Sequence, residues 1–279
     1  MIKIKNYKIM NIIEAMKERC SVRSYDGNGI DAAQRDELLT CVQEVSSPFG
    51  GEVEIRLKEF ELKGEYKPST YGVIKGARDF FLLGIGSDEA SALSAGFKFE
   101  QVVLKAWEMG LGTCWIAGTF KGEAFDRGEV WNDGEELKVI CPVGVGTKRS
   151  LLEKVGRLAM RSDSRKPFDS LFFYQNADTP IPADNRFREA LEMMRLAPSS
   201  TNSQPWRAIA TDDAVHFFYV KKSPISVLDC GIGLSHFYLT EKFYNREGRF
   251  SDFPATENTP DCGSLPKDWH YLLSYYPGK

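Results

Sequence analysis

Two arginines four residues apart flank a serine in Arg19-Cys20-Ser21-Val22-Arg23-Ser24-Tyr25. Two guanidiniums with a hydroxyl between them can place three donor groups around one anion, and the guanidinium fork matches phosphate oxygens. The same cations could instead complete a helix C-terminus. A second string, Ala197-Pro198-Ser199-Ser200-Thr201-Asn202-Ser203-Gln204-Pro205-Trp206, is dense in hydroxyls and amides that both donate and accept. That donor set suits the edge of a flat heterocycle; a plain helix stop and turn is the alternative. A third, Gly110-Leu111-Gly112-Thr113-Cys114-Trp115-Ile116-Ala117-Gly118-Thr119, is small and glycine-flanked, so its backbone N–H groups could approach a ligand ring closely. Taken alone it reads first as a helix C-cap feeding a buried strand.

Other chemistries lack their usual signals. Gly84-Ile85-Gly86 and Gly110-Leu111-Gly112 both miss the third glycine of a dinucleotide fingerprint, and the sequence holds neither a Walker A loop nor H-E-x-x-H. His216, His236 and His270 stand in predicted strand or helix with no nucleophile motif beside them, so acyl transfer of the Ser-His-Asp kind has no support. No protein side chain is expected to be catalytic, and no metal site is expected.

Composition narrows the partners. The 279 residues carry 36 Lys+Arg against 39 Asp+Glu, a net charge of −3, with 42% hydrophobic, 12% aromatic and 27% charged residues. Such a chain can bury a core and is not disordered. The balanced charge argues against a nucleic-acid binder. The six cysteines are scattered with no C-x-x-C pair, as reduced thiols in a reducing compartment would be. Met1–Lys8 alternates charged and apolar residues without a signal-peptide core, and no apolar run approaches the ~18 residues that span a bilayer. The expectation is a cytoplasmic protein acting on a small molecule, with neither nucleic acid nor membrane as partner.

The elements that must position these strings follow from periodicity. Ile12, Ile13, Met16 and Cys20 predict a helix over 11–20, and Asp31 an N-cap for a second helix through Leu38 to Val45. Val53, Ile55 and Leu57 alternate with charges as in a half-buried strand, whereas Phe80–Ile85 suits a strand buried on both faces. A long helix from Leu93 to Trp107 ends at a Gly110 cap, and Lys138–Val145 is another buried strand. The second half repeats this order: a helix over 184–197, strands Trp206–Thr211 and Val215–Val220 around Asp212-Asp213, a helix opened by Asp229, and a late strand Tyr271–Tyr276. The class is α+β.

The two halves can be superimposed as sequence. Leu38…Ser47 lies on Ala190…Ser199 at an offset of 152, Gly96-Phe97-Lys98-Phe99 on Gly231-Ile232-Gly233-Leu234 at 135, and the late strands at about 133. A diverged duplication accounts for three matches in one order, with halves at 1–168 and 169–279 related as subunits of a two-fold dimer are.

Together, R-x-S-x-R-x-Y at Arg19–Tyr25, G-L-G-T-x-W-I at Gly110–Ile116 and P-S-S-x-N-x-Q-P-W at Pro198–Trp206 resemble the FMN-dependent nitroreductase family, in its branch where two half-repeats are fused. The resemblance implies an α+β, nitroreductase-like fold in which two tandem half-repeats form an intrachain pseudo-dimer, and hence a monomer with an internal pseudo-two-fold. It implies FMN as cofactor and NAD(P)H as co-substrate. By that resemblance Arg19 and Ser21, with Cys20 in the same set, would hold the FMN phosphate and ribityl chain. Arg23 would sit near N1 and O2 of the flavin. Ala117 and Gly118 would offer backbone near N5, and Pro198, Ser199, Ser200, Asn202 and Gln204 would reach in from the other half. Relatives often carry K-x-R before a late proline for the phosphate; Asp163-Ser164-Arg165-Lys166-Pro167 has an acid in place of that lysine, so only Arg165 carries over. For the family's contacts to the flavin's dimethylbenzene side and pyrimidine edge, Thr70-Tyr71-Gly72 is a weak candidate.

A fixed cation at Arg23 would favour the reduced flavin, whose negative charge gathers near N1 and C2=O. The flavin supplies the hydride chemistry, so the protein needs no acid–base pair. The expected reaction is ping-pong reduction of a small electron-poor compound, a nitro compound or quinone, through flavin N5. The alternatives are a non-enzymatic flavin-binding or redox-sensing protein, should residues in Tyr66–Arg78 close the substrate face, and a flavin-free pseudoenzyme. Where the second half has its polar loop the first has Ser46-Ser47-Pro48-Phe49-Gly50-Gly51, and no R-x-S-x-R opens the second half. One site therefore keeps both components, which predicts one FMN per chain.

Overall fold

The computed structural model describes residues 10–64, 67–147, 164–255 and 260–278; the N-terminal stretch Met1–Lys8, Tyr66 and Asp163 lie outside them. The described chain packs into two compact units. One draws on Met1–Val45, Glu54–Gly84 and Gln101–Glu153, the other on Ser46–Val53, Ile85–Glu100 and Lys154–Lys279.

Both opening helices start on capping boxes. Asn11 accepts from the Glu14 N–H while the Glu14 carboxylate accepts from the Asn11 N–H, which begins α1 (Ile12–Glu18). Asp31 and Gln34 do the same for α2 (Ala32–Glu44). Each box satisfies two of the orphan donors at a helix start. Strands β1 (Val53–Glu59) and β2 (Asp79–Ile85) follow, then the long helix α3 (Glu89–Glu108), β3 (Gly112–Thr113), the short helix α4 (Gly122–Asp126) and β4 (Glu136–Gly144). They form a four-stranded sheet in the order β1-β2-β4-β3. Every residue of β2 is buried, as its unbroken apolar run requires of a strand covered on both faces. Around it Phe60, Phe80 and Phe125 meet edge to face with centroids 5.1–5.7 Å apart.

The second sheet has five strands in the order β5-β6-β7-β9-β8: β5 (Phe172–Tyr174), β6 (Trp206–Ala210), β7 (Val215–Tyr219), β8 (Gly248–Phe250) and β9 (His270–Pro277). Helix α5 (Arg188–Leu196) precedes β6, and α6 (Ser226–Phe243) follows β7. β6 and β7 are antiparallel around Asp212-Asp213, pairing Trp206 with Tyr219 and Ala210 with Val215. Phe187, Phe217, Phe237 and Tyr275 are all buried between this sheet and its helices. The two sheets, one in each half of the chain, are what a pair of tandem half-repeats produces.

In the second half two helix starts differ from the sequence expectation. Helix α5 starts at Arg188 rather than 184, because residues 183–186 turn and the Asn185 side chain accepts from the Phe187 N–H. Helix α6 starts at Ser226, whose hydroxyl accepts from Lys222 and Ser223 N–H, so Asp229 stands in its first turn. β5, α4 and β8, of three to five residues, are too short to show a period. All six cysteines are free thiols, four of them buried. Among the described residues no helix is long and apolar enough to cross a membrane.

Candidate functional site

In the first unit the R-x-S-x-R-x-Y string leaves α1 as extended backbone. Arg19 is buried and C-caps α1, its N–H donating to the Ala15 carbonyl at 2.8 Å. Ser21 then bridges to Thr113, and the Val22 N–H donates to the Thr113 carbonyl at 2.8 Å. The Arg23 carbonyl accepts from the Lys75 N–H, and the Tyr25 hydroxyl donates to the Val22 carbonyl at 2.8 Å. The string is therefore stitched to the glycine-rich segment at Thr113, so these two motifs are neighbours.

Val22 also explains one glycine of that segment. A methyl group on Gly112 would fall 2.5 Å from Val22 Cγ2, and one on Gly146 2.9 Å from Val22 Cγ1. Gly110 takes φ +77 as the helix cap expected of it. Gly118 differs: it is exposed at φ +93, and a methyl there would meet nothing within 4 Å. The space over its backbone is open, with Ala117 half-buried beside it. A cavity of about 410 Å³ lies at Val22, Trp107, Gly110, Leu111, Gly112 and Gly146, of which Trp107 and Gly146 carried no motif signal. Tyr71 is 72% exposed at φ +50, on a turn in which Thr70 Oγ1 accepts from the Ile74 N–H at 2.9 Å.

In the second unit the polar loop has three non-glycine residues in the left-handed region, Thr201 (φ 49), Asn202 (φ 57) and Gln204 (φ 45). Asparagine tolerates this region; the other two cost about 1–3 kcal/mol each and persist only where the surroundings impose them. Arg165 donates from Nε and Nη2 to the Leu196 carbonyl and from Nη1 to Asn202 Oδ1. Gln204 is buried: its Oε1 accepts from the Lys166 N–H at 2.9 Å, its Nε2 donates to Asn202, and its own N–H donates to Ser199 Oγ at 2.9 Å. Lys166 Nζ donates to the Ser203 and Gln204 carbonyls. Arg165, Ser199, Asn202 and Gln204 thus serve the loop's own architecture, while Pro198 and Ser200 stay half-buried at its start.

Two groups at this loop carried no sequence signal for the role they play. Burial, then the neighbouring Arg207 and Lys222, lower the Lys166 ammonium to about 8. Asp229, 1% exposed, accepts from the Ser200 N–H through both carboxylate oxygens, at 3.0 and 3.1 Å. Burial pushes its carboxyl up to about 7 against the opposing hydrogen bond from Ser200. The histidines are structural: His216 Nδ1 pairs with Ser274 Oγ at 2.7 Å, and His270 lies against the Tyr219 ring. His236, wholly buried, bridges the Met193 carbonyl and Glu100, each at 3.0 Å.

A strained, side-chain-locked polar loop and a two-arginine string stitched to a glycine-rich segment are the parts the sequence resemblance named. Residues 11–241 match the model of the family described as "Putative TM nitroreductase". The chain belongs to this nitroreductase family. A "putative nitroreductase" from Thermotoga maritima MSB8 has the same fold along its whole length, at TM-score 0.58 and 20% identity, with 99% of this chain and 98% of that one covered. That end-to-end match fits a nitroreductase with two half-repeats fused in one chain. An FMN-dependent nitroreductase from Clostridium difficile R20291 is 16% identical over 49% of this chain and 88% of its own, at TM-score 0.38. A protein named NADH dehydrogenase/NAD(P)H nitroreductase from Parabacteroides distasonis ATCC 8503 is 19% identical over 50% and 90%, at TM-score 0.41. No curated protein matches the chain.

Proposed function

We propose that this nitroreductase-family chain is an FMN-dependent oxidoreductase that uses NAD(P)H to reduce a small electron-poor compound. Family membership over residues 11–241 carries the reading. The proposed FMN ligands are Arg19, Cys20, Ser21, Arg23, Ala117, Gly118 and Arg165 of the first half, with Pro198, Ser199, Ser200, Asn202 and Gln204 of the second.

The residues present fit such a cofactor. The open backbone at Gly118 admits a ring where any side chain would be strained by its φ of +93. Arg19 and Arg23 flank a serine on extended backbone fixed at Thr113 and Lys75, so the chain path that carries both cations is set before an anion arrives. FMN, when bound, supplies hydride exchange with a nicotinamide and with a nitro or quinone substrate. The chain's part is to bind, orient and counter charge: Arg19 and Ser21 at the phosphate and ribityl chain, Arg23 at the pyrimidine edge. Arg165 acts here by fixing Asn202 and the Leu196 carbonyl. We further propose a cytoplasmic monomer holding one FMN per chain, with no nucleic-acid or membrane partner.

The test is the absorption spectrum of the purified, FMN-reconstituted protein before and after NADH or NADPH, then on adding a nitroaromatic or quinone. Flavin absorbance that bleaches and returns is the expected result. Failure to bind FMN would overturn the reading. FMN that neither nucleotide reduces would leave the non-enzymatic flavin-binding alternative, and two FMN per polypeptide would refute the stoichiometry.

A further inference from the structure

The helix-stop loops of the two half-repeats are pinned at matching places by different chemistry. At the 135-residue offset that pairs Gly96 with Gly231, Ser94 of α3 corresponds to Asp229 of α6. Ser94 is buried and holds the first loop, sharing a 2.8 Å hydrogen bond with the Ser47 hydroxyl and donating to the Gly50 carbonyl. Asp229 holds the second through the Ser200 N–H. The first loop is a closed plug: Phe49 packs on Phe97 and Phe250 at 5.1 and 5.2 Å, and its positive φ angles fall on Gly50 and Gly51.

The second loop departs on every count. Its left-handed residues are Thr201, Asn202 and Gln204, where the first uses glycine. A loop that only had to turn would carry glycine there. Its anchor is a carboxylate that accepts from a backbone N–H, although burying a charge is costly, whereas the first loop is closed by a hydroxyl that donates to a carbonyl. Both oxygens of that carboxylate converge on the N–H of Ser200, the residue just before the left-handed stretch that opens at Thr201.

We propose that Asp229 is a positioning residue, which fixes Ser200 and thereby holds the Ser199–Gln204 loop in the left-handed conformation that presents it to the cofactor. This deepens the FMN reading and rests on it for the identity of the ligand. Asp229 touches the loop backbone and acts through it. The anchor at this helix position then distinguishes the repeat whose loop receives a ligand from the repeat whose loop is filled by Phe49.

Two readouts on the full-length protein separate this proposal from the functional reading. Backbone hydrogen exchange over residues 198–205 needs no cofactor, whereas FMN affinity from flavin fluorescence does. Asp229→Leu removes both acceptors and should raise exchange in that loop about tenfold or more, leaving β6 and β7 unchanged, and weaken FMN by about tenfold or more. Asp229→Asn keeps one acceptor oxygen and should return both quantities to within about threefold of wild type. Asp229→Ser, which installs the first repeat's residue, should resemble Asp229→Leu and serves should the leucine variant not fold. Unchanged loop exchange in the leucine and serine variants, or an asparagine variant as impaired as they are, would overturn the proposal. If wild-type protein binds no FMN the functional reading fails, and loop exchange still decides the role of Asp229.

Discussion

Gly96 of α3 and Gly231 of α6 sit against one another, each closing on the other helix's backbone. A methyl group on Gly96 would fall 2.1 Å from the Leu228 carbonyl oxygen, and one on Gly231 2.1 Å from the Leu93 carbonyl oxygen. The next neighbours are the Ile232 nitrogen and the Phe97 nitrogen, at 2.8 and 2.9 Å. Both pairs of partners repeat at the separation of the glycines themselves, the reciprocity of an isologous two-fold contact. The helices of the two half-repeats therefore meet as those of a dimer would, within one chain.

Gly96→Ala and Gly231→Ala are expected to destabilise by about 1–3 kcal/mol through overpacking against backbone that cannot yield. Helix propensity alone predicts the opposite sign, a gain of about 1 kcal/mol. At about 2–4 °C per kcal/mol for a domain of this size, Tm should fall by several degrees in a calorimetric scan. A Tm that rises would show the contact to be loose.

Glu100 and His236 share one proton. The Met193 carbonyl can only accept, so His236 Nδ1 carries a proton, and the 3.0 Å contact from Nε2 to Glu100 Oε1 needs one more between them. Both side chains are wholly buried. Glu100→Leu alone should cost about 3–5 kcal/mol by stranding its partner, and Glu100→Leu with His236→Leu distinctly less than the sum of the single changes. A double-mutant cycle in urea unfolding reads the coupling; additivity would contradict it.

The carboxyls of Asp229 and Glu241 are both raised to about 7, chiefly by burial. A folded-state pKa above the unfolded one means the native state binds the extra proton, so this contribution is full below about pH 4 and is lost as pH rises through 7. His216, lowered by burial, acts in the opposite direction below 6.5. The difference between wild type and Asp229→Asn isolates the carboxyl. From pH 5 to 7.5 the variant should lose less stability than wild type, by at least about 1.4 kcal/mol. Parallel pH profiles would exclude the effect.

Arg19→Ala and Arg23→Ala should weaken FMN binding, at about 1.5–3 kcal/mol per charge-assisted hydrogen bond, or roughly ten- to a hundredfold. Fluorescence titration at two salt concentrations checks this. Affinity equal to wild type in both variants would remove the string from the proposed cofactor site.

The sequence by itself determined what local periods and caps encode. The opening helices, the doubly buried strand at Phe80, the β6–β7 hairpin and the pairing of Gly96 with Gly231 were all legible, because each depends on residue types at fixed short spacing or on kinship between halves. The three strings of the resemblance were legible too, and the family match spans them. What only the tertiary structure decided concerns groups far apart in the chain. Ser199, Asn202 and Gln204 read as a ligand-facing edge, yet folding turns much of their hydrogen bonding onto Lys166, Arg165 and one another. Asp229 read as a helix opener and became the anchor of a loop nearly thirty residues away. A buried polar group takes whichever partner the packed chain brings to it, and that choice is made by the tertiary fold, beyond the reach of spacing along the sequence.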